Sequence, residues 1–420
     1  MNKSIFVNKG IKRGMAGFLA ILLSVSSSGC GRSPEEPAIS VENETAVSDS
    51  EQSVRETAGA ADISVAGHST EISSELTYNH SMELSYATGF SVDYYEDGYT
   101  LVTVEGDGQY LVVPEGQQAP EDLDSGITVL YQPLTNVYLV ASAVMDMYVA
   151  LDALDDLRFS ALEAEDWYIE EARAQMESGK LLYAGKYSAP DYERILSEGC
   201  SLAIENTMIY HNPEVKEQLE RFGIPVLVDY SSYESNPLGR MEWIKLYGVL
   251  TGRQDRAEEA FRAQEQLFAE AGAAENTGLT VAFFYITSTG AVNVRKSTDY
   301  LPKMIEVAGG TYIFAELGSD EESASSTVTM QMEEFYAVAK EADYLIYNST
   351  IDGELGSVED LLAKSPLLEN FKAVQENHVY CTGKNLYQSS MELGTITSDI
   401  HNMLMGEDEE LTFLYHVQEK

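Results

Sequence analysis

The stretch NPEVKEQLERFGIPVLV, residues 212–228, contains a complete helix, turn and strand. Asn212 can cap a helix, and Pro213 suits the first helical position, where its missing N–H is not needed. Val215, Leu219 and Phe222 recur on one face until Gly223-Ile224-Pro225 ends the helix, and Val226 to Val228 form a short apolar strand. Working outward, the same alternation continues on the N-terminal side: a strand at 128–131, a helix over 141–157, helices at 166–177 and 191–196, and a strand at 201–204. Strands and helices in alternation imply a mainly parallel sheet with helices on both faces.

Upstream, residues 84–113 alternate apolar and polar positions, as in Tyr99, Leu101, Val102, Val104 and Tyr110 to Val113, with Asp97-Gly98 and Asp107-Gly108 as turns. This pattern predicts strands joined by hairpins. Downstream, helical periods cover 238–250 and 254–271, the second kept by Ala257, Ala260, Phe261, Leu267 and Phe268. A helix of that length reaches about 27 Å at 1.5 Å per residue, enough to connect two lobes as a rigid spine. A second alternating set follows: strand 279–286, turn 288–290, a strand at 292–294, helix 301–308, strand 311–314, a Ser/Glu-rich loop at 318–326, helix 332–342, strands 344–347 and 378–381, and a closing helix 393–404. The expected fold is α/β, two mainly parallel-sheet lobes joined by a long spine helix with a ligand cleft between them.

The N-terminus reads as an export segment, with Lys3, Lys9, Lys12 and Arg13 ahead of a short apolar run from Met15 to Val25. That run is too short for a membrane span, which needs about 20 residues. Ser27-Ser28-Gly29-Cys30 resembles a bacterial lipobox, which makes Cys30 the expected lipidation site, although Ser27 stands where the pattern prefers Leu. The alternative is ordinary cleavage nearby with Cys30 a bystander. From Gly31 to Thr77 there is no aromatic residue and much Ser, Glu, Ala and Thr, the composition of a flexible tether. Cys200 and Cys381 are then expected to be buried free thiols, one in each lobe.

A net charge of −43 excludes nucleic acid as a partner, because phosphate binding needs clustered Lys and Arg. Nucleophile elbows, phosphate loops, zinc-protease helices and dinucleotide fingerprints do not occur in register, so no catalytic residue and no cofactor is expected. His68, His80, His211 and His378 are too scattered for a metal site, and structural or solvent roles are expected of them.

Three further segments carry a family resemblance over about residues 80–420: Asn212-Pro213-Glu214-Val215 running into Gly223-Ile224-Pro225-Val226, Pro237-Leu238-Gly239-Arg240-Met241-Glu242-Trp243-Ile244, and Ile305-Glu306-Val307-Ala308-Gly309-Gly310. Together they resemble the helical-spine solute-binding proteins that serve ABC importers of ferric siderophores, haem and vitamin B12. The resemblance implies an extracytoplasmic, lipid-anchored, monomeric protein that captures a chelated metal complex and hands it to a permease whose ATPase subunits hydrolyse ATP. It also implies one permease-docking glutamate on each lobe, at the positions of Glu214 and Glu333, with Glu334 leaving the second register open. First-turn carboxylates also complement a helix dipole, which is the plainer role for both.

The expected division is an export segment at 1–30, a tether at 31–77, an N-terminal lobe at 78–236, a helical linker with the spine at 237–274, and a C-terminal lobe at 275–420. Ligands of open α/β sheets bind at loops that follow strands. That rule selects Tyr131, Lys186, Tyr187, Tyr210, Tyr233, Arg240, Arg295, Lys296 and Tyr387. The four cations would make a local site for an anionic complex within an acidic chain, and the tyrosines would offer flat faces with a polar handle. Surface turns and core tyrosines are the competing roles for these residues. A two-lobed surface receptor without transport is the competing function, since fold does not fix function.

Overall fold

The computed structural model describes residues 71–273, 275–318 and 326–418. The export segment, Cys30 and the tether up to residue 70 lie outside the described residues. The last stretch assigned to the tether, 71–77, is packed onto the fold. Ile72 is buried, its carbonyl accepts the Asp124 N–H at 3.1 Å, and Ser74 bonds the Asp122 carboxylate through both its N–H and its hydroxyl. One apolar side chain and one carboxylate acceptor suffice to order a segment whose composition reads as tether.

Five strands follow: β1 (Tyr78–Ser81), β2 (Phe90–Tyr95), β3 (Thr100–Val104), β4 (Gly108–Val113) and β5 (Ile127–Tyr131), hydrogen-bonded in that order. The pairings are antiparallel except β4 with β5, which is parallel. Alternation sends Phe90, Val92, Val102, Val104, Tyr110 and Val112 into the main core, while Tyr95, Leu101, Leu111 and Val113 bury Ile72 on the other face.

The next sheet is wholly parallel. It contains β6 (Val137–Leu139), β7 (Leu157–Ser160), β8 (Leu182–Tyr183), β11 (Ala203–Asn206) and β12 (Val226–Asp229) in the order β12-β11-β6-β7-β8, with a small β9–β10 hairpin (Gly185–Lys186 and Ala189–Pro190) beside it. The helices are α1 (Val144–Ala150), α2 (Glu170–Glu177), α3 (Tyr192–Ser197) and α4 (Pro213–Arg221). The helix expected over 141–157 is thus only α1; a 3-10 turn at Leu154–Asp156 follows, and β7 begins at Leu157. The helical period stops at Ala150, and Leu157 and Phe159 are buried as sheet residues.

The turn between β3 and β4 covers the outer edge of β12. The Asp107 carboxylate accepts the Val228 N–H at 2.8 Å and pairs with Lys216 of α4 at 2.6 Å, while the Tyr110 hydroxyl donates to the Val226 carbonyl at 2.8 Å. Side chains therefore satisfy ladder groups that an edge strand would otherwise leave open.

The linker is three helices: α5 (Pro237–Glu242), α6 (Ile244–Thr251) and α7 (Gln254–Ala271). The single helix expected over 238–250 breaks at Trp243, while α7 spans the 18 residues expected of it. Beyond it β13 (Thr280–Ile286) pairs in parallel with β15 (Thr311–Tyr312) and with β17 (Tyr344–Tyr347), which pairs in parallel with β18 (Val379–Thr382). At the margins β14 (Val292–Arg295), β16 (Thr327–Met330) and β19 (Leu414–His416) are antiparallel. The second lobe is therefore parallel at its centre and mixed overall. Its helices include α8 (Tyr300–Val307), α9 (Met332–Ala339), α10 (Ser349–Asp352), α11 (Val358–Lys364), α12 (Lys372–Gln375) and α13 (Leu393–Met405).

Helix α13 packs along α7, and the two cross at Gly394, where a Cβ would lie 2.5 Å from the Gln264 carbonyl oxygen. Both cysteines among the described residues are free; Cys381 is buried and Cys200 only half-buried. Neither is placed to bridge the lobes.

Two buried carboxylates give measurable expectations. Glu205 of β11 is fully buried, and neither of its oxygens has a hydrogen-bond partner. Burial pushes its pKa up to about 8 against the pull of Lys216. The folded chain thus holds a proton that the unfolded chain releases near the ordinary 4.5, so stability falls as pH rises between 4.5 and 8, by up to about 1.4 kcal/mol per pH unit. Glu205→Gln should flatten this slope in melts run from pH 5 to 9, and parallel curves for the two proteins would refute it. Asp107→Ala removes a fully buried acceptor and strands Lys216 and the Val228 N–H. A loss of about 2–3 kcal/mol in denaturant unfolding is expected, the partial exposure of Lys216 tempering the larger cost of breaking a wholly buried pair.

Candidate functional site

The loops that leave the C-terminal ends of the two lobe sheets meet each other. After β7, the Tyr168 N–H donates to Gln388 Oε1 at 2.8 Å, and Gln388 Nε2 donates back to the Asp166 carbonyl at 2.9 Å. After β6, the Met391 N–H donates to the Asp146 carboxylate at 2.8 Å and the Ser390 hydroxyl to the Ala143 carbonyl at 2.5 Å. After β12, Lys303 Nζ reaches Ser235 Oγ at 3.3 Å. These contacts bridge one lobe to the other from the loops after β6, β7 and β12.

On the N-lobe side the ends of β11 and β12 bring together Tyr210, Tyr230 and Tyr233. The phenols of Tyr210 and Tyr230 lie 3.0 Å apart, the Tyr230 and Tyr233 rings 5.4 Å apart, and the Tyr233 hydroxyl donates to Thr207 at 3.2 Å. The Tyr230 hydroxyl also donates to the Gly106 carbonyl at 3.1 Å. Gly106 has φ +84, and a Cβ there would stand 3.3 Å from the Tyr230 ring, so glycine is needed for both backbone and space. Burial, reinforced by the nearby Asp107 and Tyr230, raises the Tyr210 pKa far above its usual value, so the phenol stays neutral at any physiological pH. Tyr233, at 39% exposure, offers its ring to solvent.

On the C-lobe side, Arg295 at the end of β14 is 9% exposed. Its guanidinium bonds Ser326 Oγ at 3.2 Å and the Tyr387 hydroxyl, lies 4.9 Å from the Tyr387 ring centroid, and sits 3.7 Å from Asp299. Asn348, just past β17, donates to the same Tyr387 hydroxyl at 2.7 Å. Lys296 is 3% exposed, with Gly318 closing on its aliphatic stem. Arg240 of α5 joins the two sides. It donates to the carbonyls of Glu234, at 2.8 Å, and Ser232, and it stacks 3.8 Å from the centroid of Tyr300 at the start of α8. The contacts therefore make three groups: Tyr210, Tyr230 and Tyr233 on the N-lobe side, Arg240 with Tyr300 across the boundary, and Arg295 with Tyr387 on the C-lobe side.

Of the residues singled out from the sequence, Tyr210, Tyr233, Arg240, Arg295 and Tyr387 fall in these groups, with Lys296 next to Arg295 in the chain. Tyr131 stands apart on β5 at the edge of the first sheet, 52% exposed, because its strand joins that sheet and not the parallel one. Lys186 and Tyr187 lie on the β9–β10 hairpin, Lys186 exposed and Tyr187 packed on the outer core of the N lobe. Among the described contacts these three join neither cluster. Tyr230, Tyr300, Asn348 and Gln388 are members that the sequence reading missed. The strand-end rule could have found Tyr230 and Asn348, each directly after a strand; nothing in the sequence marks Gln388.

The two glutamates expected to dock occupy matching places. Glu214 is exposed in the first turn of α4, with Asn212 Nδ2 3.4 Å from it. In α9, Glu334 turns back to take the Gln331 N–H at 3.2 Å in a capping box, and Glu333 is exposed beside it. Glu334 thus closes the capping box, and both it and Glu333 are exposed.

A surface depression lined by Thr128, Glu220, Gly223, Ile224, Pro225 and Val226 lies at the opposite, N-terminal end of β12. It is open to solvent, and Thr128 and Glu220 supply its polar side chains.

Comparison with known proteins places this architecture. An uncharacterized lipoprotein of Methanocaldococcus jannaschii is 23% identical over 341 residues, covering 75% of this chain and 79% of its own length. Among solved structures, the periplasmic heme binding protein HutB of Vibrio cholerae superposes with a TM-score of 0.51 at 19% identity, covering 62% of this chain and 97% of that one. A periplasmic binding protein from Veillonella parvula gives 0.52 at 16% identity, covering 65% and 92%. The likeness to these structures is one of fold, two α/β lobes about a helical linker. The family model described as "Periplasmic binding protein" matches residues 160–386, more than half of the chain, from the end of β7 to the residue before Tyr387. The chain belongs to the periplasmic binding protein family.

Proposed function

We propose that this protein is the extracytoplasmic solute-binding component of an ABC importer, held to the membrane through Cys30, and that it captures an anionic metal chelate of the ferric siderophore, haem or corrinoid kind. The observation that carries the reading is the pairing of guanidinium with tyrosine ring at Arg240–Tyr300, which spans the lobe boundary, and at Arg295–Tyr387, in a chain of net charge −43. In an acidic protein such cations make a local positive site, and the rings supply flat apolar surface for a macrocycle or catecholate. HutB, a fold neighbour, is named a heme binding protein, which supports the same ligand class. The lipoprotein name of the Methanocaldococcus jannaschii relative supports the anchor.

The mechanism follows from the linker. Ligand enters between the lobes, the lobes close by a small rotation about α7, and docking through Glu214 and Glu333 on permease arginines favours release. No bond in the ligand is made or broken by this chain; ATP is hydrolysed by the partner subunits.

The test is native mass spectrometry with tryptophan fluorescence titration of the chain freed of its export segment, using ferric siderophores, haem and cobalamin. Trp167 and Trp243, both buried in the main core, are the reporters. One of these ligands should bind one-to-one, and Arg295→Ala should weaken it roughly tenfold or more, as loss of a charge-assisted contact predicts. Tyr131→Ala should leave binding unchanged. Glu214→Ala and Glu333→Ala should abolish uptake with binding intact; uptake that survives both would favour a receptor without transport. Binding of none of the three ligand classes would overturn the assignment of ligand.

A further inference from the structure

The loop between β18 and α13 does two things at once. Gln388 meets the peptide backbone of the other lobe with both halves of its amide, accepting from the Tyr168 N–H and donating to the Asp166 carbonyl. Tyr387, its neighbour in sequence, turns to its own lobe, where its hydroxyl meets Arg295 and accepts from Asn348. The loop is braced from within, since the N–H groups of Gln388 and Ser389 both reach the Asn385 carbonyl at 2.9 Å. Lys384 Nζ lies 5.8 Å from the Tyr168 ring centroid, so a second side chain of the loop faces the same patch. A bidentate amide against backbone has a defined position and angle, unlike an ion pair between long exposed side chains. Shifting one lobe relative to the other must break the Gln388 pair or drag the loop, and Tyr387 with it.

We infer that Gln388 is a positioning residue: it clasps the N lobe and thereby sets Tyr387 against Arg295, so that closure of the lobes and assembly of the anion site are one event. This rests on the reading of Arg295 and Tyr387 as ligand contacts, but the clasp itself can be measured without any ligand. Its range is short, because the same loop continues into Ser390 and Met391, which hold Ala143 and Asp146 near the start of α13. Those two contacts form the inner end of the junction, and Gln388 lies beyond them.

The Tyr168 amide reports the clasp directly, since its hydrogen bond is to Gln388. Hydrogen exchange resolved at that amide should show protection in the native chain and a loss of about tenfold in Gln388→Ala, the equivalent of one hydrogen bond. Gln388→Glu, which can accept from Tyr168 but cannot donate to Asp166, should retain part of the protection. In fluorotyrosine-labelled protein the Tyr387 resonance, assigned with Tyr387→Phe, should move in Gln388→Ala while the melting temperature does not. A Tyr168 amide already unprotected in the native chain, or a Tyr387 resonance indifferent to Gln388→Ala, overturns the inference. Failure of ferric complexes, haem and cobalamin to bind, with the exchange and fluorine results as expected, would instead refute the ligand reading and leave the clasp standing.

Discussion

Two buried carboxylates hold this structure together at the place where its parts meet. Glu242 of α5 accepts the backbone N–H groups of Ser85, Tyr86 and Ala87 at 2.8–3.1 Å and pairs with Lys245 at 3.0 Å. Glu234, just before α5, accepts the N–H groups of Thr88 and Gly89 at 2.7 and 2.8 Å, and the Trp243 indole at 3.2 Å. Five consecutive peptide donors between β1 and β2 thus end on two side chains. A carboxylate buried without donors costs several kcal/mol, and so does a run of peptide N–H groups without acceptors; each need is met by the other. Burial alone would raise the pKa of Glu242, but the donors from Ala87, Ser85 and Tyr86, together with Lys245, outweigh it and hold the group below its ordinary value. The Glu242 contribution is therefore fully present at neutral pH and is lost only as acid protonates that carboxylate.

The position of the latch matters more than its strength. It joins the first sheet to α5, and Tyr86 extends the strap to the spine by donating to Glu265 of α7 at 2.8 Å. Helix α5 also carries Arg240, whose guanidinium stacks on Tyr300 of the other lobe. The first sheet lies outside the span of the family model, which starts at residue 160, yet its turn at Gly106 and Asp107 touches both the tyrosine cluster and α4, the helix that bears Glu214. The added sheet is a brace for the two surfaces on which the proposed function depends.

Charge is distributed with the same logic. Lys216, Lys245 and Arg253 each meet a carboxylate at 2.6–3.0 Å, which neutralises them within the framework. Arg240 is held differently, by two peptide carbonyls and an aromatic face, which fix its geometry without cancelling its charge. In a chain this acidic, a cation satisfied by neutral partners at the lobe boundary is the feature an anionic ligand would find.

What the sequence by itself determined were the elements whose signals are local. Asn212, Pro213 and Gly223 bracket α4 within a few residues, the period of Ala257, Phe261 and Phe268 marks α7, and Asp-Gly pairs mark the turns of the first sheet. Strands of three or four residues such as β6 and β7 carry too little pattern to be seen. The tertiary structure alone decided which side chains acquire partners. Glu205 and Glu242 are both glutamates in apolar surroundings, but one stays without donors while the other meets three peptide N–H groups from a segment more than 150 residues away. Glu333 and Glu334 are distinguished only by which of them folds back on Gln331. Gln388 looks like any loop residue until the other lobe brings the backbone of 166–168 to it, because a hydrogen bond between remote segments depends on where both are placed and leaves no trace in the order of residues.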